Sequence, residues 1–404
     1  MVEGQVDNVE HRLPDQDSSF QNMTRWLTWA EIDLDALAHN VRAFKRHVGP
    51  ATEVMAVVKA NAYGHGAVPV SRVALESGAT RLAVARLDEG VQLRRAGIDA
   101  PILVMGYTLP ARADLLARWD LTPTINTLEG AQALSAAAVA SGRVASFHVK
   151  IDTGMGRYGL LPGEVVSFIR AVSAMNGLRW EGLYTHFAVA DLADKDFTRR
   201  QFSLYRDVVT ALAEAGHPAP LKHIANSAGT LDLPKVHLDA VRIGIAMYGL
   251  HPSNEVEPAI PLRPLLTLKS RVARVRTLPT GASISYGRTY ITQRPTPVAL
   301  IPVGYGDGYH RLMSNRGEVL IRGGRAPIVG RVCMDQFVVD ISGIRGVTQD
   351  DEVVLIGRQG QEAISAERVA TWAETINYEV TTSILPRVTR VFLRGGQVVG
   401  EEPL

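Results

Sequence analysis

Charged side chains recur where short apolar runs of the sequence end. Lys59 follows the run Met55–Val58. Lys150 and Asp152 end a later run, and Arg157 lies in the glycine-rich turn behind them. Burial of a lysine stem lowers the pKa of the amine toward that of a useful nucleophile or base. Lys59 is therefore a candidate catalytic amine, although an ion-pair role fits the lysine taken alone equally well.

The same pattern continues with His186, with His223 and Asn226, and with Arg242. Each of these residues, taken singly, could be a solvated loop residue or a satisfied buried polar group. Together with Lys59 and with Lys150 and Asp152, they mark the ends of five predicted strands. This agreement favours a shared site, because the carboxyl ends of parallel strands meet at one mouth of a barrel.

Two glycine-containing segments late in this series could bind a phosphate. They are Asn226–Gly229 and Arg242–Ile245. Loops after the seventh and eighth strands of a barrel often bind phosphate through backbone N–H groups and a helix N-terminus, although Ser227 could simply be an N-cap. A lysine that faces a phosphate site suggests a phosphorylated aldehyde cofactor, because lysine amines form Schiff bases with carbonyl groups.

Strand-like and helix-period segments alternate from Trp29 to about Ile245. Eight strands in this rhythm favour a (β/α)8 barrel over an open doubly wound sheet. The predicted strands are Met55–Ala60, Arg81–Ala85, Ile102–Gly106, Leu121–Ile125, Phe147–Asp152, Gly182–His186, Lys222–Asn226 and Leu238–Ile243. The predicted helices are Asp33–His47, Pro69–Glu76, Asp88–Arg95, Asp114–Arg118, Gly163–Met175, Asp196–Ala215 and Ser227–Leu233, with a further helix around Ala131–Ala140.

Short β-branched runs separated by glycine-rich turns follow Pro261 and predict a second, mainly β domain. The predicted strands are Leu266–Arg276, Pro297–Val303, Glu318–Ile321, Ala326–Val332, Gln336–Asp340, Glu352–Gly357 and Val388–Arg394, and one helix is predicted at Ala366–Ile376. We therefore divide the chain into a flexible polar tail (1–22), a barrel domain (23–262) and a mainly β domain (263–404).

The composition indicates a soluble globular protein, with 46% hydrophobic and 21% charged residues and a formal charge of +2. No basic run interleaves with aromatic residues, so neither nucleic acid nor a membrane is an expected partner. The N-terminus lacks a secretory pattern, and no apolar stretch approaches the ~18 residues of a membrane span. The single cysteine, Cys333, fits a reducing compartment. We expect a cytoplasmic protein without a metal site.

The segment Ala56–Gly66 resembles the lysine motif of the alanine racemases, which use pyridoxal 5'-phosphate (PLP). Seven further segments resemble motifs of this family in the same order: Asp152–Arg157, Tyr184–Phe187, His223–Ser227, Ser285–Tyr290, Gly304–Tyr309, Val332–Gln336 and Ile376–Glu379. The matches run from residue 56 to about residue 380, which leaves little room for chance.

The resemblance implies a set of residues that bind the cofactor. Lys59 would hold PLP covalently, and Arg242 would face its pyridine nitrogen, with His186 and Asn226 beside the cofactor. The phosphate would be bound by Tyr63, Ser227, Gly244, Ile245 and Tyr378. We expect His65 to support the loop after Lys59.

The resemblance also implies two bases and a substrate site. Lys59 and Tyr286 would act on opposite faces of the substrate, Tyr286 reaching into the barrel of a second subunit, so that the enzyme is a homodimer. Arg157 and the backbone of Met334 would hold the substrate carboxylate, and Tyr305 would line the entrance. Lys150 resembles a lysine that is carbamylated in many members and orients Arg157.

Racemisation without a swinging base requires one base on each face of the planar carbanion. The pKa of a free phenol is about 10, so a tyrosine base needs surroundings that favour the phenolate. In the family this tyrosine, His186 and Arg242 form a hydrogen-bonded chain that could provide them. An arginine will not protonate the pyridine nitrogen, which should suppress transamination.

The implied activity is interconversion of L-alanine and D-alanine, with D-alanine supplied for peptidoglycan. A racemase for serine or a broader range of amino acids remains open, because pocket size cannot be judged from sequence. A PLP barrel decarboxylase is less favoured, because of Arg242 and the Tyr286 motif. A PLP carrier protein of the single-barrel type would lack the second domain.

Overall fold

The computed structural model describes residues 26–256 and 259–402, so the predicted tail at 1–22 lies outside the described residues. Strands and helices alternate as far as Ile243. The strands are β1 (Thr28–Asp33), β2 (Glu53–Val57), β3 (Arg81–Val84), β4 (Ile102–Val104), β5 (Thr122–Pro123), β6 (Ala145–Lys150), β7 (Leu178–Tyr184), β8 (Leu221–His223) and β9 (Ala240–Ile243). The helices are α1 (Leu34–Val48), α2 (Lys59–Tyr63), α3 (Ala67–Glu76), α4 (Leu87–Arg95), α5 (Ala113–Arg118), α6 (Leu128–Ala140), α7 (Val165–Ser173), α8 (Asp196–Glu214) and α9 (Ser227–Asp232).

Strands β2 to β9 form one parallel sheet in the order β5-β4-β3-β2-β9-β8-β7-β6. A parallel bridge between Thr124 and His148 joins the two ends of this sheet and closes the barrel. Most strand residues are apolar, and side chains such as Leu82, Leu103 and Val241 are buried, because both faces of a parallel sheet are covered. The predicted (β/α)8 barrel is confirmed.

Helix α1 shows how local sequence sets the outer layer of the barrel. The Asp33 carboxylate accepts a hydrogen bond from Ala36 N at 2.9 Å and caps the helix. Leu37, Val41 and Phe44 recur at helical spacing, and all three are buried. The helix therefore begins at a defined residue and packs its apolar face against the barrel.

The remainder of the chain is mainly β. Its strands are β10 (Leu266–Arg271), β11 (Arg274–Leu278), β12 (Ser283–Ile284), β13 (Tyr290–Ile291), β14 (Thr296–Ile301), β15 (Glu318–Ile321), β16 (Gly324–Pro327), β17 (Phe337–Asp340), β18 (Glu352–Gln359), β19 (Glu362–Ile364), β20 (Thr389–Arg394) and β21 (Gln397–Glu402), and its helices are α10 (Ala366–Trp372) and α11 (Asn377–Thr382). The main sheet has the order β16-β15-β18-β10-β1-β20-β21, with β19 paired to β18. A mainly β second domain is thus confirmed.

Strand β1 precedes the barrel in sequence but belongs to the second sheet. It pairs antiparallel with β10 and parallel with β20. The sequence predicted that residues 23–262 all belong to the barrel domain. Thr28–Asp33 instead makes its strand hydrogen bonds with β10 and β20 of the second sheet. Long-range strand pairing of this kind leaves no local signal in the sequence.

The bounds of many predicted elements differ from the structure, and four differences are large enough to change the description. The strand predicted to run through Lys59 ends at Val57, and the run predicted at Leu266–Arg276 is two strands, β10 and β11. The run Ala326–Val332 is a strand only as far as Pro327, and Gly330 has a positive φ of 83°. The helix predicted to reach Ile376 ends at Trp372, because Glu374 adopts φ 54° before α11 begins. Within the described ranges, no helix is long and apolar enough to cross a membrane.

Candidate active site

A cavity of about 630 Å³ lies where the barrel strands end. Eleven of the predicted site residues line this one cavity: Lys59, Tyr63, Lys150, Arg157, His186, Asn226, Ser227, Arg242, Gly244, Ile245 and Tyr378. Ten of them come from the barrel, and Tyr378 comes from α11 of the second domain. The structure therefore brings together groups that are spread over 320 positions of the sequence, from residue 59 to residue 378.

Lys59 is the first residue of α2, which is a left-handed turn and not an α-helix. Ala60, Asn61, Ala62 and Tyr63 all have φ between 51° and 55°, a conformation that costs roughly 1–2 kcal/mol per L-residue. Gly64 follows with φ 85°. The turn bends the chain away at once from the end of β2.

His65 supports this turn, as expected from the sequence. It is fully buried, and its Nδ1 lies 3.0 Å from both Ala62 O and Tyr63 O. Its ring stacks on Tyr248 with centroids 4.6 Å apart. Burial lowers the pKa of His65 to about 4, so the ring is neutral at pH 7. His65 thus has a structural role in the loop that carries Lys59.

The Lys59 amine has a lowered pKa. Burial is the main cause, and the positive charge of Arg157 adds to it, while the carboxylate of Glu89 opposes both. The ammonium nitrogen lies 5.9 Å from the centre of the Tyr63 ring. A lysine with a lowered pKa in a cavity is suited to act as a nucleophile and as a proton acceptor.

The same cavity also has the donors of a phosphate site. Ser227 Oγ accepts hydrogen bonds from Gly244 N at 3.0 Å and from Ala246 N at 3.4 Å, which leaves its hydroxyl proton to be donated to a ligand. A Cβ on Gly244 would lie only 2.6 Å from Tyr63 Oη, so the cradle requires glycine there. Asn226, and not Ser227, is the N-cap of α9, through Gly229 N at 2.9 Å.

The two tyrosines of this cradle act as neutral donors. Burial raises the pKa of Tyr63 and is the largest cause of the raised pKa of Tyr378. Their rings lie 6.3 Å apart. Because both phenols keep their protons at neutral pH, each can donate a hydrogen bond to an anionic group. The hydroxyls of Ser227, Tyr63 and Tyr378 and the backbone at Gly244 fit a phosphate.

Arg242 is a buried cation held on several sides. Its Nη1 lies 2.7 Å from His223 Nδ1. Its Nη2 donates to Thr185 O at 2.7 Å and to Ile224 O at 3.1 Å, and lies 3.3 Å from His186 Nδ1. Burial lowers the pKa of Arg242 to about 10, so it remains charged at neutral pH. A guanidinium has no acceptor, and His186 Nδ1 must therefore accept from it.

Lys150 is also buried beside positive charges. Burial, followed by the charges of Arg157 and Arg242, lowers its pKa to about 8. Its backbone N–H donates to Asn126 Oδ1 at 3.0 Å. At pH 7 roughly a tenth of this amine is therefore unprotonated, and this is the state that reacts with carbon dioxide.

The loop that carries Arg157 is organised by one carboxylate. Asp152 Oδ1 accepts hydrogen bonds from Gly154 N, Met155 N and Gly156 N at 2.9 to 3.1 Å. These bonds lower the pKa of Asp152 against the opposing effect of burial. Arg157 follows this turn, is exposed, and lines the cavity.

Three predicted residues do not line the cavity of their own chain. Tyr286, Tyr305 and Met334 of the second domain are 72%, 42% and 53% exposed. They are neighbours, because Gly306 N donates to Met334 O at 2.8 Å and Cys333 Sγ lies 3.9 Å from Ser285 Oγ. They form an outward-facing patch that is not part of the cavity lining.

Sequence reasoning did not identify three residues of the site. Tyr184 stacks on His223 with ring centroids 4.8 Å apart, and Asp191 lines the cavity. Glu89 accepts a hydrogen bond from Ala60 N, next to Lys59. A signal for Glu89 was present, since it is the third residue of α4, where a capping carboxylate is common.

The barrel, the lysine with a lowered pKa, the caged arginine and the anion cradle define a barrel enzyme that works through a lysine amine. Two family profiles cover most of the chain: "Alanine racemase, N-terminal domain" matches residues 32–252 and "Alanine racemase, C-terminal domain" matches residues 265–392. The chain belongs to the alanine racemase family. It is therefore an isomerase.

Individual relatives agree with the profiles. The chain is 50% identical over 367 residues to the alanine racemase of Desulforamulus reducens, covering 90% of this chain and 98% of that one. It is 47% identical over 365 residues to that of Halothermothrix orenii, covering 90% and 96%. The crystal structure of alanine racemase from Bacillus anthracis with bound L-Ala-P matches with a TM-score of 0.88 and 44% identity, over 93% of this chain and 97% of that one.

Proposed function

We propose that this enzyme uses PLP to interconvert L-alanine and D-alanine with two bases, Lys59 of one subunit and Tyr286 of a second copy of the chain. The observation that carries the proposal is the shared cavity of Lys59, Arg242 and the Ser227–Gly244 cradle. An amine and phosphate donors in one cavity fit a phosphorylated aldehyde.

Each part of the cofactor has a counterpart among the residues of the cavity. Lys59 would hold the aldehyde carbon, the hydroxyls of Tyr63, Ser227 and Tyr378 would bind the phosphate with the backbone at Gly244 and Ile245, and Arg242 would face the pyridine nitrogen, with His186 and Asn226 alongside. When bound, PLP withdraws electrons from the α-carbon of the substrate and so makes its proton acidic.

Lys59 Nζ would exchange a proton with one face of the substrate. Its lowered pKa brings the amine closer to the range in which it can accept a proton and return it. On the other face the proton would move to and from the phenolic oxygen of Tyr286. In its own chain that side chain is 72% exposed, away from the cavity. A dimer in which each subunit completes the other's site accounts for both facts.

His186 would help this tyrosine to act as a base. Burial and then Arg242 hold its pKa well below 6.5, so the imidazole is neutral. Because its Nδ1 accepts from Arg242, its proton sits on Nε2 and can be donated to a phenolate. Arg242 keeps its own proton, so it would not protonate the pyridine nitrogen and would disfavour side reactions.

The substrate carboxylate would be bound by Arg157 and by the backbone of Met334 from the second subunit, with Tyr305 at the entrance. We propose that Lys150 is carbamylated and orients Arg157. The lowered pKa of Lys150 supports this modification, and a carbamate would place a negative charge among Arg157, Arg242 and Lys59.

We further propose that the enzyme supplies D-alanine for peptidoglycan and acts in the cytoplasm. The single cysteine supports a reducing compartment. A racemase for serine or for a broader range of amino acids would use the same residues. Only the measured turnover of each amino acid distinguishes these activities from that on alanine.

Turnover of three amino acids tests the proposal. PLP-supplemented protein is incubated with L-alanine, L-serine and L-lysine, and the D-isomer is detected with D-amino-acid oxidase. We expect fast conversion of alanine that is lost in Lys59→Ala and kept in the control Lys235→Ala, an exposed lysine remote from the cavity. Faster conversion of serine or lysine would contradict the substrate, and no D-isomer despite bound PLP would contradict the reaction.

A further inference from the structure

The left-handed turn after Lys59 is anchored differently at its two ends. At its far end, Arg390 Nε of the second domain donates to Gly64 O at 3.1 Å. A Cβ on Gly64 would lie 2.1 Å from Thr381 O, so α11 also packs tightly there. Asn61 Oδ1 accepts from Ala67 N at 2.7 Å and ties the turn to the start of α3. The far end is thus fixed by several independent contacts.

The near end, next to Lys59, depends on Glu89. Its Oε1 accepts a hydrogen bond of 2.6 Å from Ala60 N, the amide that follows Lys59. Its Oε2 accepts from Ala85 N at 2.7 Å and from Arg86 N at 2.9 Å. One carboxylate therefore joins the loops that follow β2 and β3 and places a negative charge beside the Lys59 turn.

The charge of Glu89 also acts on the Lys59 amine. Burial and the charge of Arg157 lower the pKa of Lys59, and Glu89 raises it. Lys150 also faces this amine, and its charge interacts with that of Lys59. His186 is neutral and adds no charge. Glu89 is the carboxylate that opposes the two neighbouring cations, Arg157 and Lys150.

We propose that Glu89 is a positioning residue that holds the backbone beside Lys59 in the left-handed turn and keeps the lysine amine where it can bind PLP. The proposal rests on the assignment of Lys59 as the PLP lysine. Glutamine in place of Glu89 would offer one acceptor oxygen and an NH₂ group, so it could not accept hydrogen bonds from both loops. Aspartate would keep the charge but would be one methylene shorter.

The chain offers a matched control in Glu164. It is an exposed carboxylate that accepts a hydrogen bond from Leu161 N at 2.7 Å ahead of α7, far from Lys59. Glu164→Gln therefore removes the same kind of cap without touching the turn. We compare Glu89→Gln, Glu89→Asp and Glu164→Gln in the full-length chain stripped of PLP.

Two measurements test the proposal. Titration with PLP gives its dissociation constant, and the pH dependence of acetylation at Lys59, followed by peptide mass spectrometry, gives the reactivity of the amine without the cofactor. In Glu89→Gln we expect the dissociation constant to rise about tenfold, as for loss of a hydrogen bond to a charged group. We also expect Lys59 to become reactive at lower pH, because the opposing negative charge is gone.

Glu89→Asp should keep the acetylation profile of the wild type, since the charge remains, but should lose part of the PLP affinity. It also serves as the test if Glu89→Gln does not fold. The proposal would be overturned if both Glu89 variants had the same PLP dissociation constant and the same pH dependence of Lys59 acetylation as Glu164→Gln. If the wild-type chain did not bind PLP at all, the proposed function would fail, while the acetylation profiles would still decide whether Glu89 acts on Lys59.

Discussion

Arg242 and His223 are joined by a hydrogen bond of 2.7 Å between Nη1 and Nδ1 in the interior of the barrel. Because a guanidinium can only donate, His223 Nδ1 carries no proton and His223 Nε2 does. That nitrogen lies 2.9 Å from His148 Nδ1, which must accept. Burial lowers the pKa of His148 to about 3, so this row of rings is neutral. Arg242 is thus held as a cation that cannot pass its proton inward.

The first prediction concerns the side reaction that Arg242 is proposed to suppress. Arg242→Glu would place a group that can protonate the pyridine nitrogen where Arg242 cannot, so transamination should increase. We expect the pyruvate formed per D-alanine to rise several-fold, measured with lactate dehydrogenase. Arg242→Met, which removes the cation without adding an acid, should not raise it. An unchanged ratio in Arg242→Glu would show that the role given to Arg242 is wrong.

The second prediction concerns the phosphate cradle. In Gly244→Ala the new methyl group would lie 2.6 Å from Tyr63 Oη, so the phenol or the loop must shift. Overpacking of this size should raise the PLP dissociation constant about tenfold. Gly163→Ala is the control, because a Cβ there meets nothing within 4 Å. Equal PLP affinity in the two variants would contradict the position assigned to the phosphate.

The third prediction concerns Lys150. Nitrogen of the unprotonated amine would attack carbon dioxide, and the loss of one proton would leave a carbamate. With ¹³C-labelled bicarbonate we expect a carbamate signal in the NMR spectrum that is absent in Lys150→Met and present in Lys222→Met. The signal should weaken as the pH falls below the pKa of about 8, because the ammonium form does not react. A signal that survives in Lys150→Met would place the carbamate elsewhere.

The fourth prediction concerns acid stability. Burial lowers the pKa of His65 from 6.5 to about 4, so between these values the unfolded chain binds a proton that the folded chain does not. Stability is therefore lost as the pH falls through this window, by about 3 kcal/mol for this residue. Urea unfolding at pH 6.5 and pH 4 should show a smaller loss in His65→Gln than in the wild type. His217→Gln, at the end of α8, is the control and should keep the wild-type loss.

The barrel could be predicted from sequence because its strands are short buried runs at regular intervals. The details around Lys59 could not be predicted in the same way. Four successive residues that are not glycine adopt positive φ there, and local propensity disfavours such a turn. Glu89 and Arg390, which lie far away in sequence, stabilise it through hydrogen bonds with its backbone. Likewise β1 joins the second sheet through pairing across more than 230 positions, as between Thr28 and Ser270.

Some residues of the site could be predicted from the strand pattern, and others only from the family resemblance. The strand-end rule is sufficient to locate Lys59, Lys150, His186 and Arg242, because parallel strands bring their carboxyl ends together. Tyr286, Tyr305, Met334 and Tyr378 came only from the resemblance. No periodic pattern marks them, since Tyr286 and Tyr305 begin 3-10 helices of three residues, Met334 lies in a bend and Tyr378 lies in a short helix.

The central claim is that one site needs two chains, and mixing two inactive variants tests it most directly. Lys59→Ala lacks the first base and Tyr286→Phe lacks the second. Subunits are exchanged under conditions where mass spectrometry shows that hybrid dimers form, and D-alanine formation is followed with each variant alone as the control. A hybrid has one site with both bases intact, so the mixture should regain a substantial share of wild-type activity. Hybrid dimers that remain as inactive as the two parents would contradict the shared site and the two-base assignment.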